Sequence, residues 1–309
     1  MSARRLRQIL AWSRRGTMET PPAPVPRFEP IRPSPTTEVG GTAAAPDSWV
    51  PVDTAPLAMR ALGSTTVFVE GRRVERWESL RGLMVLRYLA WSHPKPVSRD
   101  VLMALLWPDS SPHSARNSLN VAIHGLRASL VAVGAASVVV HCRGAYSIPA
   151  EAGFVLDARE FESTVIAAED AWDRGDLHLA RQLFESAIQL YGGPLFDDDS
   201  EGEWYLMDRR RLSDRYADAL EGLAIMCHDD EDHRAAIDAG RALLAVDPCR
   251  ESGHRLLMRA YAACGKHHYA ARQYAECVTV LRSELAVAPD PSTTRLFNEL
   301  LGSRAVEGC

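Results

Sequence analysis

Apolar side chains change their spacing three times along this chain. Between residues 60 and 74 they fall in short runs, 60–62, 65–69 and 72–74, interrupted at Gly63 and Gly71, which predicts a small β region. From residue 79 the spacing becomes helical. Leu80, Leu83, Met84, Leu86, Tyr88 and Leu89 mark a first helix over 79–91, stopped by Ser92-His93-Pro94. Ser98 can cap a second helix carrying Val101, Leu102, Leu105 and Leu106, which Trp107-Pro108 ends. Ser111-Pro112 places a capping hydroxyl and a proline at the start of a third helix that runs to about residue 130. Residues 138–140 and 146–148 then flank a turn at Gly144 and predict a two-stranded hairpin.

From Asp157 onward the pattern is helical throughout, with short polar breaks. Helices are predicted over 158–174, 177–190, 203–227, 233–246, 251–263 and 268–286, with a last one near 292–300. A degenerate 34-residue self-similarity maps Leu223 to Leu257, Ala224 to Met258 and Ala236 to Ala270. Small residues at helix crossings with larger apolar neighbours are what tetratricopeptide packing requires. The expected fold class is therefore mainly α with a small β component. It consists of a winged helix-turn-helix over 60–150, a tetratricopeptide-like helical domain over 151–302, and a tail over 303–309. Residues 1–59 form a basic, proline-rich extension, with ten prolines between 20 and 56 that predict an extended tether.

Charge sharpens this division. The net charge of -5 is distributed as +2 over 1–59, +6 over 60–150 and -13 over 151–309. A positive module beside an acidic one fits a phosphate-facing part joined to a protein-facing part. The basic start over 1–15 has an apolar core of only four residues, 9–12, and no secretory signature, and Met18 is a second candidate start. Apolar runs elsewhere are too short to span a bilayer. The expected location is cytoplasmic, with no membrane partner. Six cysteines, without metal-ligand spacing, read as reduced structural thiols.

The third helix carries the candidate chemistry. At about 100° per residue, Ala115, Ile123, Leu126 and Leu130 lie within about 40° of Leu119 and make a buried stripe. His113, Arg116, Asn117, Asn120, His124 and Arg127 occupy a polar wedge at roughly 60–160° from it. An asparagine amide can pair bidentately with adenine, and a guanidinium with guanine. His113, Arg116, Asn117, Asn120 and His124 are therefore the candidate base readers. Arg127 is a candidate phosphate contact, reaching the backbone as the helix leaves the groove. Arg143 stands at the tip of the hairpin, poised for minor groove or phosphate. Lys95 and Arg99 flank the start of the second helix, where side chains and free amides offer further phosphate contacts. His113, His124 and His141 lack acidic or thiol partners at metal-ligand spacing, no phosphate-cradling glycine loop is present, and no catalytic set emerges. No enzyme activity, cofactor or metal is expected.

The ordered segments Pro96-Val97-Ser98-Arg99-Asp100-Val101-Leu102, Leu105-Leu106-Trp107-Pro108-Asp109 and Ser114-Ala115-Arg116-Asn117-Ser118-Leu119 resemble the Streptomyces antibiotic regulatory protein type of transcriptional activator. So do Leu126-Arg127-Ala128-Ser129-Leu130, Arg143-Gly144-Ala145-Tyr146-Ser147-Ile148, Asp157-Ala158-Arg159-Glu160-Phe161, Gly192-Gly193-Pro194-Leu195-Phe196 and Trp204. The resemblance covers about residues 61–285. It implies an OmpR/PhoB-like winged helix followed by a bacterial transcriptional activator domain. It also implies binding to direct repeats in double-stranded DNA, self-association on that DNA, and recruitment of RNA polymerase holoenzyme through its sigma factor. The sequence departs from the family in a reading helix with fewer arginines and a wing with one clear cation, Arg143. A different class of function stays open: a signalling scaffold in which the repeat domain and the winged helix both bind proteins. Grooves between the repeats are also candidate ligand sites, although no aromatic cage or cationic anchor marks one in the sequence.

Overall fold

A computed structural model describes residues 55–135, 138–199 and 202–306, with side chains to residue 300. The expected tether up to residue 54 and the final residues of the expected tail lie outside the described residues. The β region forms β1 (Leu57–Arg60), β2 (Thr66–Val69) and β3 (Arg72–Arg73), an antiparallel meander in which Leu57 faces Val69 and Phe68 faces Arg73. β1 lies earlier than the spacing predicts. The Ala61 and Leu62 amides donate instead to the Asp157 carboxylate, at 2.7 and 3.0 Å, and so leave the ladder.

Three helices follow: α1 (Leu80–Ser92), α2 (Arg99–Leu106) and α3 (Pro112–Val131). The caps expected at Ser98 and Ser111 form, and Ser79 supplies a third. Ser79, Ser98 and Ser111 accept from the amides of Gly82, Val101 and Ser114 at 3.0, 3.2 and 3.3 Å, each cap contributing about 1 kcal/mol. The hairpin pairs β5 (Val140–Cys142) with β6 (Ala145–Ser147), and β4 (Val97–Ser98) adds to β6, giving the order β4-β6-β5. Its strands are displaced from the expected 138–140 and 146–148 because the turn is the dipeptide Arg143-Gly144. Both residues are left-handed, at φ 50° and 80°, the geometry of a two-residue hairpin turn. Cys142 therefore pairs with Ala145, and Val139 is left to fill the core beneath.

A seventh strand, β7 (Phe154–Leu156), runs parallel to β1, so the first sheet has the order β3-β2-β1-β7. The sheet therefore extends past both expected limits, 60 and 150. The chain then enters α4 (Asp157–Asp173) and α5 (Leu177–Leu190), α6 (Leu206–Asp229) and α7 (His233–Val246), and α8 (Glu251–Ala263) and α9 (His267–Val280). A π turn over Leu281–Leu285 and α10 (Pro291–Val306) follow. The 34-residue register is visible in burial: Ala236 and Ala270 are both 3% exposed, and Ala224 and Met258 are both fully buried. α6 starts later than expected because the preceding turn is used otherwise. The Tyr205 hydroxyl donates to the Asp199 carbonyl at 2.7 Å, with its ring buried. The five described cysteines are free.

The two halves share one core, in which Leu57, Leu86, Leu119 and Leu126 are continuous with Phe161, Phe184, Phe196 and Leu212. Polar groups close the seam. Asp157, fully buried at the first turn of α4, accepts from the amides of Ala61, Leu62 and Ala158. Burial pushes its carboxyl up to about 7, against three amides that favour the charged form. The Arg159 guanidinium donates to the carbonyls of Trp91 (2.8 Å) and His93, where α1 ends. Arg87 of α1 is buried, with Asp198 at 2.6 Å, Asp199 at 3.1 Å and the Thr65 hydroxyl at 3.0 Å. Backbone pairing adds Phe196 N to Ala61 O at 2.7 Å and Asp197 N to Gly63 O at 3.0 Å. A side chain on Gly193 would come within 3.2 Å of the Gly63 backbone, which accounts for the paired glycines at this crossing.

Candidate nucleic-acid interface

The third helix divides as its periodicity predicts. Leu119 and Leu126 are fully buried, and Ala115, Ala122, Ile123 and Leu130 lie against the same core. α1 supports α3 at close range. A side chain at Gly82 would meet the Ala122 carbonyl at 2.6 Å, and one at Gly125 would meet Ser79 at 2.6 Å. Gly125, about 240° from Leu119, is thus small for packing, since α1 begins against it.

On the opposite side His113, Arg116, Asn117, Asn120 and His124 are all exposed. Their only mutual hydrogen bond among the described residues joins the Asn117 amide to His113 Nδ1 at 3.2 Å. The five side chains therefore stand on one rigid helix with nearly all their donors and acceptors uncommitted. Such an edge can pair with base edges at little cost in broken internal bonds. Val121 lies beside this wedge, about 200° from Leu119, and is 70% exposed.

The expected backbone contacts fare differently. Arg143 is exposed at the hairpin tip and Lys95 is exposed in the turn before β4. Arg127 donates from Nη2 to the Val139 carbonyl at 3.1 Å, so part of its guanidinium ties α3 to the chain entering the hairpin. At the start of α2 the amides expected to be free are largely used. Arg99 N donates to the Gly144 carbonyl at 3.0 Å, and Val101 N to the Ser98 hydroxyl. The Arg99 side chain is half-buried and its Nε has no hydrogen-bond partner. This corner fixes the hairpin to α2, leaving the Arg99 side chain rather than its amide for any anion.

The groups that tie β1 and α1 to the helical half were not visible as such in the sequence. Asp157 and Arg159 appeared there only as part of a motif opening the second domain. Their partners are separated from them by 95 and 96 residues for Asp157 and by 66 to 69 for Arg159, beyond any local pattern. Among the described residues, no group of three or more histidine, cysteine, aspartate or glutamate side chains is placed to hold a metal ion. No helix among them is long and apolar enough to cross a membrane.

Residues 156–301 match the family described as Bacterial transcriptional activator domain. Over 200 residues, 65% of this chain, the sequence is 30% identical to Regulatory protein AfsR of Streptomyces coelicolor, of which it spans 20%. It is 27% identical over 228 residues to Transcriptional regulatory protein MoaR1 of Mycobacterium bovis, covering 70% of each chain. The structure of Mycobacterium tuberculosis EmbR in complex with a low affinity phosphopeptide aligns at a TM-score of 0.68 and 22% identity, over 80% of this chain and 65% of that one. That likeness is one of fold. With a winged helix set on an activator domain and with relatives named as regulatory proteins, the chain is a homologue of the Streptomyces antibiotic regulatory protein-type transcriptional regulators.

Proposed function

We propose that this regulator reads double-stranded DNA through α3 and activates transcription from direct-repeat promoter sites. The observation that carries the reading is the exposed, uncommitted polar face of α3 on a helix braced by α1. His113, Arg116, Asn117, Asn120 and His124 contact base edges, while Lys95, Arg99, Arg127 and Arg143 face the phosphate backbone. Arg127 does both jobs, holding the Val139 carbonyl with one nitrogen and presenting the rest of its guanidinium outward. The activator domain, with the acidic part of the charge, contacts RNA polymerase holoenzyme including its sigma factor, and two copies associate head to tail on the repeat. The reaction at the promoter is binding and recruitment, with no chemistry on DNA.

Footprinting of the purified chain on sites found by genome-wide binding tests the first half of this reading. A protected direct repeat is expected, with affinity falling steeply as salt rises. Protection without sequence preference would remove the base-reading role. Transcription in vitro from the footprinted promoter with purified holoenzyme tests the second half, and unchanged transcript levels at saturating regulator would sink activation.

A further inference from the structure

Val121 borders the polar wedge of α3. Placed about 200° from Leu119, it lies between Asn117, one turn before it, and His124, nearly one turn after. The axial offsets are about 6 Å and about 4.5 Å. It is 70% exposed, so the core does not hold it there. Helix formation does not favour it either, because a β-branched side chain loses rotamer freedom in a helix. The other large apolar residue exposed on α3 is Val131, at the helix's last residue and far from the N-terminal half. An apolar group flanked by two polar candidate readers, on a helix that the proposed function sets in a major groove, has one well-matched partner there. The 5-methyl of thymine is the apolar feature that distinguishes base pairs in that groove.

Resting on the reading of α3 as the DNA-reading helix, we infer that Val121 is a specificity-determining residue that packs its isopropyl group on a thymine 5-methyl. This thymine lies between the bases contacted by Asn117 and by His124. The contact selects against cytosine at that position without a hydrogen bond. It gives the site a methyl-dependent element that Asn117 and Asn120 do not supply.

Deoxyuridine provides a test, because it removes the methyl and leaves the hydrogen-bonding edge intact. Duplexes of the footprinted site, each with one thymine replaced by deoxyuridine, are titrated with the full chain and with Val121→Ala and Val121→Thr. At one position in each half-site the parent is expected to lose about threefold to tenfold in affinity. Val121→Ala is expected to bind the thymine site about that much more weakly and to be indifferent to deoxyuridine at the same position. Val121→Thr, which keeps one γ-methyl, is expected to retain part of the sensitivity. Thermal melting of both variants should match the parent, since the side chain supports no core. If no single deoxyuridine weakens the parent, or if Val121→Ala remains as sensitive as the parent, the inference is overturned while base reading by α3 stands. A parent that binds its site no better than scrambled duplex overturns the reading of α3 itself, and this inference with it.

Discussion

The exposed polar face of α3 and the seam around Asp157 are both polar, yet they are built on opposite terms. On α3 five side chains end in solvent and share a single mutual hydrogen bond. At the seam, Asp157, Arg87 and Arg159 are buried or half-buried and engaged by carboxylates, amides or carbonyls from distant segments. Removing a group from the first surface strands nothing, because water was already its partner. Removing one from the second leaves desolvated partners behind. Polar residues that specify a partner and polar residues that specify a fold are thus told apart by what their loss would expose.

Substitutions at the seam should show the larger effects. Arg87→Ala leaves Asp199, whose side chain is 7% exposed, without the guanidinium beside it. A loss of about 3–5 kcal/mol is expected, read from the urea midpoint, and a shift of under 1 kcal/mol would mean that the pair is dispensable. Asp157→Ala strands three backbone amides and should cost about 2–4 kcal/mol in the same measurement. Asp157 also gives the comparison a pH axis. Its carboxyl is pushed up to about 7 from 3.8, so the folded chain holds the extra proton between those values. Its contribution to stability is therefore full below about pH 4 and is lost as pH rises through 7. Midpoints measured from pH 4 to 8 should reveal that slope in the parent, and its persistence in Asp157→Ala would assign it elsewhere.

Changes on the polar face of α3 should leave the urea midpoint unmoved. Asn117→Ala and Asn120→Ala are expected to reduce discrimination between cognate and control duplex by about 1–3 kcal/mol each. Equal affinity of parent and variants for both duplexes would take these residues off the face. Arg143→Ala should have the smallest effect. It weakens both duplexes alike and lowers the slope of log affinity against log salt by about 0.9 if it meets one phosphate. An unchanged slope would place the hairpin tip away from the backbone.

The same contrast explains what was legible in the sequence. Helix starts could be read from Ser98 and Ser111 because a cap and the amide it serves lie three residues apart. The two faces of α3 could be read because helical periodicity is local. The seam could not, because the partners of Asp157 and Arg87 come from segments about a hundred residues away. That long-range carboxylate also moved β1, since it claims the amides of Ala61 and Leu62. The parallel pairing of β7 with β1 has no turn to announce it, so the limit at 150 was drawn before the sheet had ended. The groove floored by Leu257 and Tyr261 is a further case. It brings Arg241 and Arg272 beside the stacked Tyr261 and Tyr269 rings, a grouping dispersed over three helices in the sequence.

Arg159 stands in the first turn of α4 and holds carbonyls at the end of α1. Rotating α4 against α1 would break these bonds, which a free linker between the two helices would not oppose. Under the proposed function, a rotation imposed on α4 would pass to α1 and, across the close contact at Gly82, to α3, and so would set the pitch at which that helix meets a groove.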